Sequence, residues 1–495
     1  MLLDYKLALS PKVRQSRARS RHGVLSYYSW QSIRVNKYVL ILILHRIINL
    51  MSSFFYFCEK IITEPRSSFS NIGFLLLIFS SLLSRVDTPY SFSIHYLLLP
   101  LFSISLMILN LNYVTKIFRY HKRILVAFGA LYIWIWICTL ASNFQVTALT
   151  YTLKYSTYFF LFICFLTITF NHQNLRFYYR VVLQFMNFLA VLGFVELFFP
   201  NLWIFKLLKY PSFYPQIGSI LQNPNQFGVL MAVGAILALI LYYKKLISKL
   251  ELYISEILFL VSIAISASRN SWLVFLLGMF LLLLYRIINL KQMILIVSCF
   301  LLCILSYPAS TYKIGLGDSQ IFPLFELFNQ SLNSNDIETN TSKDQLTVKP
   351  NVTSNIKTKI SNPQGTALSR FALWSSAINE IVKRPITGIG IGVFAEHIGV
   401  KVFGAKGFHA HNIFLNVGVE LGIPGLLIFI NFLVRVFSKI KPNNYLAIIP
   451  IVMFLVSQLV DFFVEDYTFT TIELYFLAVA INLGTQVENN RFSEE

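Results

Sequence analysis

Long apolar stretches limit what this chain can fold into more than any other feature of its sequence. Residues 273–284 and 294–305 contain no charged residue, and comparable stretches recur along the chain. Crossing a hydrocarbon layer of about 30 Å takes roughly 20 apolar residues in a helix. Backbone groups in lipid must hydrogen-bond within their own segment, which favours helices, whereas a barrel would alternate polar and apolar residues. The sequence therefore predicts an all-α, polytopic membrane protein.

The polar content and the spacing of the stretches give the predicted organisation. With 56% hydrophobic and 13% charged residues, the chain has too little polar surface to cover a soluble core. We predict a bundle of about 12 transmembrane helices, nine within 70–308 and three within 411–484, separated by one large extracytoplasmic loop at 309–410 that contains amphipathic helices. The predicted spans lie near 70–86, 93–112, 124–141, 150–170, 180–199, 219–243, 252–268, 271–287, 291–308, 411–437, 445–463 and 467–484.

The basic residues predict the orientation, because cytoplasmic loops of membrane proteins are enriched in Lys and Arg. Basic residues cluster in alternate connections, at 116–123, 176–180, 244–249, 286–291 and 435–441. The connections at 142–147, 309–410 and 461–466 are then expected to face outward, with both termini in the cytoplasm. Since this pattern accounts for the formal net charge of +19, no nucleic-acid partner is expected.

Residues 1–69 are predicted to be a basic, cytoplasmic or interfacial N-terminal segment. The first 50 residues carry nine Lys or Arg and one Asp. His45, Arg46 and Asn49 interrupt the apolar stretch 38–57, so we expect it to lie in the interface. An alternative is that translation starts at Met51.

The outer loop changes character along its length. Residues 329–363 are rich in Asn, Ser, Thr and Lys, which predicts a flexible insert. Residues 366–383 then repeat apolar residues every three to four positions, which predicts an amphipathic helix over the membrane face. Its predicted stripe is Ala367, Phe371, Trp374, Ile378 and Ile381. At the other end of the chain, 485–495 is predicted to be a cytoplasmic tail.

Several polar residues at the predicted outer surface are candidates for chemistry. Arg269 lies in SASRNSW between two spans, and Arg370 lies at the start of the loop helix. Each also fits an ordinary role, as an arginine that snorkels from a helix end or as a solvated helix residue. His411 lies where the loop re-enters the membrane, and a histidine there can serve as a general base. Glu420 is a candidate for orienting a partner.

Metal and nucleotide sites are not expected. His409 and His411 are two residues apart and could bind a metal only in an extended segment with a third ligand, for which no pattern is present. The GIGIG sequence at 388–392 lacks the βαβ unit and the Lys-Ser of a phosphate-binding loop, so it predicts a tight turn. No cofactor is expected. QNPNQFG is predicted to open a span, with Pro224 in its first turn.

The order of these motifs resembles the O-antigen ligase and O-antigen polymerase superfamily of bacterial polytopic membrane glycosyltransferases. QNPNQFG is followed by SASRNSW, by an outer loop with an Arg-x3-Trp pair and a Pro-x2-Gly-x-Gly-x-Gly turn, and by HAHNIFLNVGVELGIPG. The resemblance covers roughly 221–429, whereas the N-terminal spans agree only in hydropathy. The insert at 329–363 exceeds the family's minimum loop length, which leaves the type of acceptor open.

This resemblance implies an enzyme that transfers or polymerises an undecaprenyl-diphosphate-linked glycan, by inverting attack of an acceptor hydroxyl. The acceptor would be a glycan, a lipid or a protein. The enzyme would lie in the bacterial inner (plasma) membrane, in contact with membrane lipids, with its active site facing the periplasm. By similarity, Arg269 and Arg370 match diphosphate-binding arginines and His411 matches the catalytic histidine. Asn412 stands beside it as a further substrate-binding residue.

Other functions remain open at this stage. A ligase and a polymerase share the motifs named above, so the sequence does not separate them. A solute transporter, for example of inorganic carbon, or a polysaccharide flippase would also be polytopic. Transporters usually contain repeated halves and acidic residues within spans. No repeat is evident in the sequence, which favours chemistry at one surface.

Overall fold

The computed structural model describes residues 65–81, 95–170, 174–199, 216–221, 223–307, 310, 367–403, 407–440, 444–464 and 466–492. The predictions for 1–64, including a start at Met51, and for the insert at 329–363 lie outside these residues. The described residues from Phe69 onward belong to one compact unit. The described part of the chain is helical and contains no strand, which confirms the all-α class.

Fifteen α-helices and one short π-helix, Phe394–Ile398, make up the described structure. The α-helices are α1 (Pro65–Ser80), α2 (His95–Leu109), α3 (Leu111–Tyr120), α4 (Lys122–Ala141), α5 (Gln145–Phe170), α6 (Leu175–Phe198), α7 (Pro224–Tyr243), α8 (Lys249–Ser266), α9 (Arg269–Leu284), α10 (Leu290–Ser306), α11 (Ala367–Lys383), α12 (Gly399–Phe403), α13 (Ile413–Lys439), α14 (Tyr445–Val460) and α15 (Tyr467–Phe492).

Each of the twelve predicted spans coincides with a helix or a helix pair, but the number of spans is not confirmed. Six helices in the described part are long and apolar enough to cross a membrane: α4, α5, α6, α7, α13 and α15 as far as Gly484. A seventh span is possible if α2 and α3 count together, although the chain bends by 92° between them. The helices α9, α10 and α14 are apolar but shorter.

Helix α7 is the most enclosed of these spans. Asn223 caps its first turn through a side-chain oxygen that accepts from the Asn225 amide, and Pro224 occupies the first position, where it loses no helical hydrogen bond. This confirms that QNPNQFG opens a helix. Gly228 lets α7 approach Ser266 and Ser271 closely. Helices α6, α8, α9 and α14 surround it.

Helix α13 is broken near its middle. Gly422 has a φ of 71°, in the left-handed region that favours glycine, and Pro424 follows without an N–H to donate. The Ile423 amide leaves the helix and donates to the Pro385 carbonyl at 2.8 Å. The break therefore leaves carbonyls of the preceding turn without helical partners.

The glycine turn at 388–392 supplies two of the missing donors. Buried carbonyls without partners are expensive in a membrane protein, so a break needs compensating bonds. These bonds are Ile389 N–H to Val419 O at 3.0 Å, Gly390 N–H to Glu420 O at 3.0 Å and the Trp134 indole N–H to Leu421 O at 2.9 Å. The three glycines of the turn all have positive φ, as expected of a tight turn.

Helix α11 confirms the helix predicted at 366–383, and the residues of its predicted apolar stripe lie in two environments. Leu373 and Ala377 are the buried residues, and Ile381 packs against the same cluster. Phe371 and Ile378, which belong to the predicted stripe, are exposed. The helix therefore carries apolar residues both against the protein and at the surface, and its placement over the membrane face stays a prediction.

The connections predicted to face outward meet at one end of the bundle, here called the site end. Ser142 Oγ donates to the Ile389 carbonyl at 2.7 Å, and Thr147 Oγ1 lies 3.1 Å from His397 Nε2. At the opposite, basic end, Lys244 Nζ lies 4.8 Å from the Tyr445 ring centroid. The grouping of connections thus follows the predicted alternation.

Candidate functional site

A histidine and an aspartate from separate segments form the centre of the site. His411 Nδ1 lies 2.7 Å from Asp461 Oδ1. His411 precedes α13, whereas Asp461 follows the last residue of α14. A quarter of the His411 side chain is exposed (25%), and Asp461 is buried (4%). The ring is therefore held from inside the protein while part of it reaches the surface.

The surroundings of Asp461 keep its carboxylate ionised. Burial raises the pKa of Asp461, but the neighbouring His411 ring, the Phe462 amide and the Asn225 side chain together hold that pKa below its ordinary value. Asn225 Nδ2 donates to Oδ2 at 2.9 Å and the Phe462 amide donates to Oδ1 at 2.9 Å. Since an ionised carboxylate only accepts hydrogen bonds, the Nδ1 of His411 carries the proton and Nε2 is the basic nitrogen.

The residues that follow His411 and Arg269 both hydrogen-bond to the end of α14. Asn412 Nδ2 donates to the Leu459 carbonyl at 3.1 Å, and Asn270 Nδ2 donates to the Ser457 carbonyl at 3.0 Å. Asn412 follows His411 and Asn270 follows Arg269. The last turn of α14 therefore fixes His411 and the start of α9 against one rigid element.

Asn412 has a clear structural role in this arrangement. Its side-chain oxygen caps α13 by accepting from the amides of Phe414 at 3.0 Å and Leu415 at 3.1 Å. His411, just before the cap, has a φ of 48°, a left-handed conformation that is uncommon outside glycine and is concentrated at functional sites. The cap and the positive φ together turn the His411 ring towards Asp461.

The two predicted arginines lie on helices that reach this end of the bundle. Arg269 is exposed and is the first residue of α9, which Ser268 caps. Arg370 is half-buried on α11, one turn before Trp374. The Trp374 indole N–H donates at 2.8 Å to the carbonyl of Ala410, the residue directly before His411. Arg370 thus lies one turn from a residue that bonds the segment before His411, and Arg269 precedes a residue that bonds the last turn of α14.

The two histidines of the motif point to different partners. The His409 ring packs 4.9 Å from the Phe462 ring, whereas His411 contacts Asp461. Among the residues that the structure describes, no group of three or more His, Cys, Asp or Glu side chains is placed to hold a metal ion. The expectation that no metal is needed stays a prediction.

A cavity of about 170 Å³ lies between α4, α5, α13, α14 and α15. Its wall is mostly aromatic and aliphatic, with Phe128, Phe159 and Phe432 among the lining residues. Ile413, which follows Asn412, lines it as well. Its polar lining includes a pair in which Gln458 Nε2 donates to both Glu473 oxygens, at 2.7 and 2.9 Å. The cavity thus joins an apolar interior to the site end.

Sequence analysis missed Asp461 and Asn225 as members of the site. Asp461 was placed in an outward connection, and Asn225 lies in a motif that was assigned only to a helix start. One signal was available, since an acidic residue at the end of an apolar stretch on the same side as His411 is a natural partner for it. The pairing itself depends on the fold, because 50 residues separate His411 from Asp461.

These features define a class of protein. The described chain is a multi-pass helical membrane protein whose polar site lies at one end of the bundle, where a buried carboxylate orients a partly exposed histidine. Two arginines lie on helices bonded to this end of the bundle, Arg269 beside Asn270 and Arg370 one turn before Trp374.

Comparison with known families agrees with this class. The family model described as O-antigen ligase matches residues 254–430. Residues 254–430 are therefore similar to the O-antigen ligase family, and the resemblance seen in the motifs is confirmed over that range. Arg269, Arg370 and His411 lie within the match, whereas Asn225 and Asp461 lie outside it. No curated protein matches the chain.

Proposed function

We propose that this protein is a glycosyltransferase that moves a glycan from an undecaprenyl-diphosphate carrier to an acceptor hydroxyl. The observation that carries the proposal is the His411–Asp461 pair, placed at the end of a membrane bundle whose central part matches the O-antigen ligase family. A ligase-like enzyme needs a base for the acceptor hydroxyl and positive charge for the leaving diphosphate, and both residue types are present at this end.

His411 acts as the general base in this proposal. The acceptor oxygen bonds to the anomeric carbon while the bond from that carbon to the phosphate oxygen breaks, which inverts the configuration. The hydroxyl proton passes to His411 Nε2, and the electron pair of the broken bond leaves with the diphosphate. Asp461 holds the ring and stabilises the imidazolium that forms, and such general-base help contributes about 10²–10⁴-fold in rate.

Arg269 and Arg370 bind the diphosphate. A guanidinium can bond two phosphate oxygens at once and stays charged, so it suits a leaving group that gains negative charge. Charge already in place where it develops is usually the largest electrostatic contribution to catalysis. Asn412 fixes the position of His411. In this proposal the second N–H of its side-chain amide also contacts the substrate.

In this proposal the donor enters from the membrane, and the part of its polyprenyl tail next to the diphosphate lies in the aromatic cavity. A polyisoprenoid is apolar and needs an apolar path that ends near the diphosphate site. The cavity has such a wall and extends to Ile413 beside the site. The outward, periplasmic placement of the site in the inner membrane follows from the basic residues at the opposite end.

Transport is the second candidate, and one observation favours it. Glu473 lines the cavity within a spanning helix, and acidic residues at such positions often mark ion or proton pathways. Against this, the chemistry-bearing residues gather at one end. A solute pathway would instead place polar groups along the bundle.

The test compares variants in the native host after its own gene copy is deleted. Wild type, Arg269→Ala, Arg370→Ala and His411→Ala are expressed at equal membrane abundance, with Arg435→Ala as a control. Arg435 is a partly exposed arginine near the opposite end of α13, where it bonds the Asn431 side chain. Surface glycans and lipid-linked intermediates are then measured.

We expect the three site variants to lose transferred glycan while undecaprenyl-linked glycan accumulates, and Arg435→Ala to behave as wild type. His411→Ala should slow transfer by about 10²–10⁴-fold. A ladder of product lengths would identify a polymerase, and addition of a preformed glycan to another molecule would identify a ligase. Unchanged glycans and intermediates in the deletion strain would refute the proposal, and solute uptake would then test transport.

A further inference from the structure

Helix α11 presents three different faces rather than two. One face, with Leu373, Ala377 and Ile381, packs into the protein. A second face is polar, and Ser376, Glu380 and Lys383 belong to it. At 100° per residue the centres of these two faces point roughly 90° apart, which leaves a third face on the opposite side of the helix.

The third face is apolar and exposed. Phe371 is 62% exposed, Ile378 is 50% exposed and Val382 is 74% exposed. Their positions differ by seven and four residues, so they form one stripe along the helix. A water-soluble helix with one side packed against protein would carry polar residues here. This stripe therefore contacts something other than water.

The stripe continues into a surface that faces lipid. Ile423, Leu427 and Val434 are exposed along the spanning helix α13, at the spacing of one helical face. The Ile423 amide donates to the Pro385 carbonyl at 2.8 Å, which joins the start of that face to the chain just after α11. Ile386, at this junction, is exposed as well. An apolar surface thus runs from the spanning helix onto α11.

Charged residues near the end of α11 fit the headgroup layer of a membrane. Lys383 is exposed and pairs with Glu380 at 2.6 Å, and Arg384 follows it. Long basic side chains at the edge of an apolar stripe snorkel to phosphate groups and favour anionic lipids. A helix with one apolar and one polar surface face plus basic ends is typical of an interfacial helix.

We propose that α11 lies in the membrane interface, with Phe371, Ile378 and Val382 inserted among the lipid acyl chains. The occupant of the stripe is the bilayer itself. This placement rests on the membrane assignment alone. Within the proposed function it has one consequence, because it holds Arg370 at the depth where the diphosphate of a membrane-anchored donor lies.

The test measures what each face of α11 contacts in the full-length protein. Single nitroxide labels are placed at Phe371→Cys, Ile378→Cys and Val382→Cys, with Ser376→Cys and Lys383→Cys on the polar face as matched controls. The protein is reconstituted in bilayers of phosphatidylethanolamine and phosphatidylglycerol. Power saturation then compares collisions with oxygen, which concentrates in lipid, and with a nickel chelate, which stays in water.

The background must lack native cysteines that a label could reach. Cys138 and Cys164 are buried and stay in place, whereas Cys299 is exposed and Cys303 is partly exposed. Serine therefore replaces Cys58, Cys299 and Cys303. If a labelled variant fails to accumulate, p-benzoylphenylalanine at position 371 gives the same information through photocrosslinks to lipid, with position 383 as its control.

We expect the ratio of oxygen to nickel accessibility to be several-fold higher at the three stripe positions than at the two control positions. Equal access of nickel to both sets would show that the stripe faces water and would overturn the proposal. Low access of both reagents to the stripe would show that protein covers it, with the same consequence. The accessibility profile does not depend on enzyme activity, so it can fail or succeed separately from the proposed transfer.

Discussion

At the scale of single residues, the chemical role proposed for His411 depends on its contact with Asp461. A histidine at a membrane surface fits many roles, and the motif alone left it as one candidate among several. A buried carboxylate 2.7 Å from Nδ1 fixes the tautomer and aims the other nitrogen outward. Sequence analysis found the histidine because it lies in a motif. It missed the carboxylate because only the packing of α13 against α14 brings the two together.

The first prediction concerns Asp461→Asn. The substitution keeps the shape of the side chain and can still accept a hydrogen bond, but it removes the charge that stabilises the imidazolium. We expect transfer to slow by at least about tenfold and by no more than the roughly 10²–10⁴-fold attributed to the base itself. The measurement is the rate of glycan transfer from a lipid-linked donor by purified enzyme in bilayers.

Asp466→Asn is the matched control for this prediction. Asp466 lies in the same connection and caps α15, where its side chain accepts from the Phe469 amide at 2.8 Å. Asparagine is nearly as good a cap as aspartate, so this variant should retain activity. If the two variants were equally active, Asp461 would have no part in the reaction.

At the scale of helices, hydropathy predicted where the helices lie but not the break within one of them. The predicted spans at 219–243 and 445–463 differ from α7 and α14 by only a few residues, because length and apolar content decide where a helix crosses lipid. The break at Gly422 was not predicted, although GIPG stands in the sequence. A glycine and a proline permit a break, but only the donors from the 388–392 turn make it stable.

The variant Gly422→Ala tests whether the break in α13, which the 388–392 turn stabilises, depends on glycine. Alanine at a φ of 71° is strained by about 1–3 kcal/mol, and its Cβ would also meet the Ile386 carbonyl. We expect a lower midpoint of thermal unfolding in detergent and a matching loss of transfer activity. Gly129→Ala is the control, because a Cβ there meets no atom within 4 Å.

Glycine inside a helix is less favourable than alanine by about 1 kcal/mol. Gly129→Ala should therefore leave the unfolding midpoint unchanged or raise it. A Gly422→Ala variant as stable as Gly129→Ala would mean that the break does not depend on glycine. The hydrogen bonds from the 388–392 turn would then not be needed to stabilise a break at this position.

At the scale of the whole molecule, the distribution of charge predicted which connections share an end. The turn after α4, the segment before α13 and the connection after α14 were all expected on one side, and hydrogen bonds join the first two to the 389–397 segment and to Asp461 respectively. The number of spans could not be predicted in the same way. Helices α9 and α14 are apolar but short, and the apolar pair α2 and α3 is bent by 92°. Hydropathy does not show how far each of these helices crosses the membrane.

The remaining prediction is that the site end faces away from the cytoplasm. Asn143→Cys at the site end and Lys291→Cys at the basic end place single thiols at exposed positions. In spheroplasts, a membrane-impermeant maleimide should label Asn143→Cys at once and Lys291→Cys only after the membrane is permeabilised. Wild type measures the background from native cysteines. The expectation rests on the excess of Lys and Arg at the basic end, since positive charge is retained on the cytoplasmic side.

The opposite labelling pattern would place His411 and Asp461 in the cytoplasm. Lipid-linked glycans that have been moved across the membrane would then be out of reach of the histidine, and transfer at the outer face would be refuted even if the residues themselves were essential. Labelling of both positions without permeabilisation would show leaky spheroplasts, which a cytoplasmic marker enzyme detects. With intact spheroplasts, the two thiols therefore decide on which side of the membrane the proposed reaction takes place.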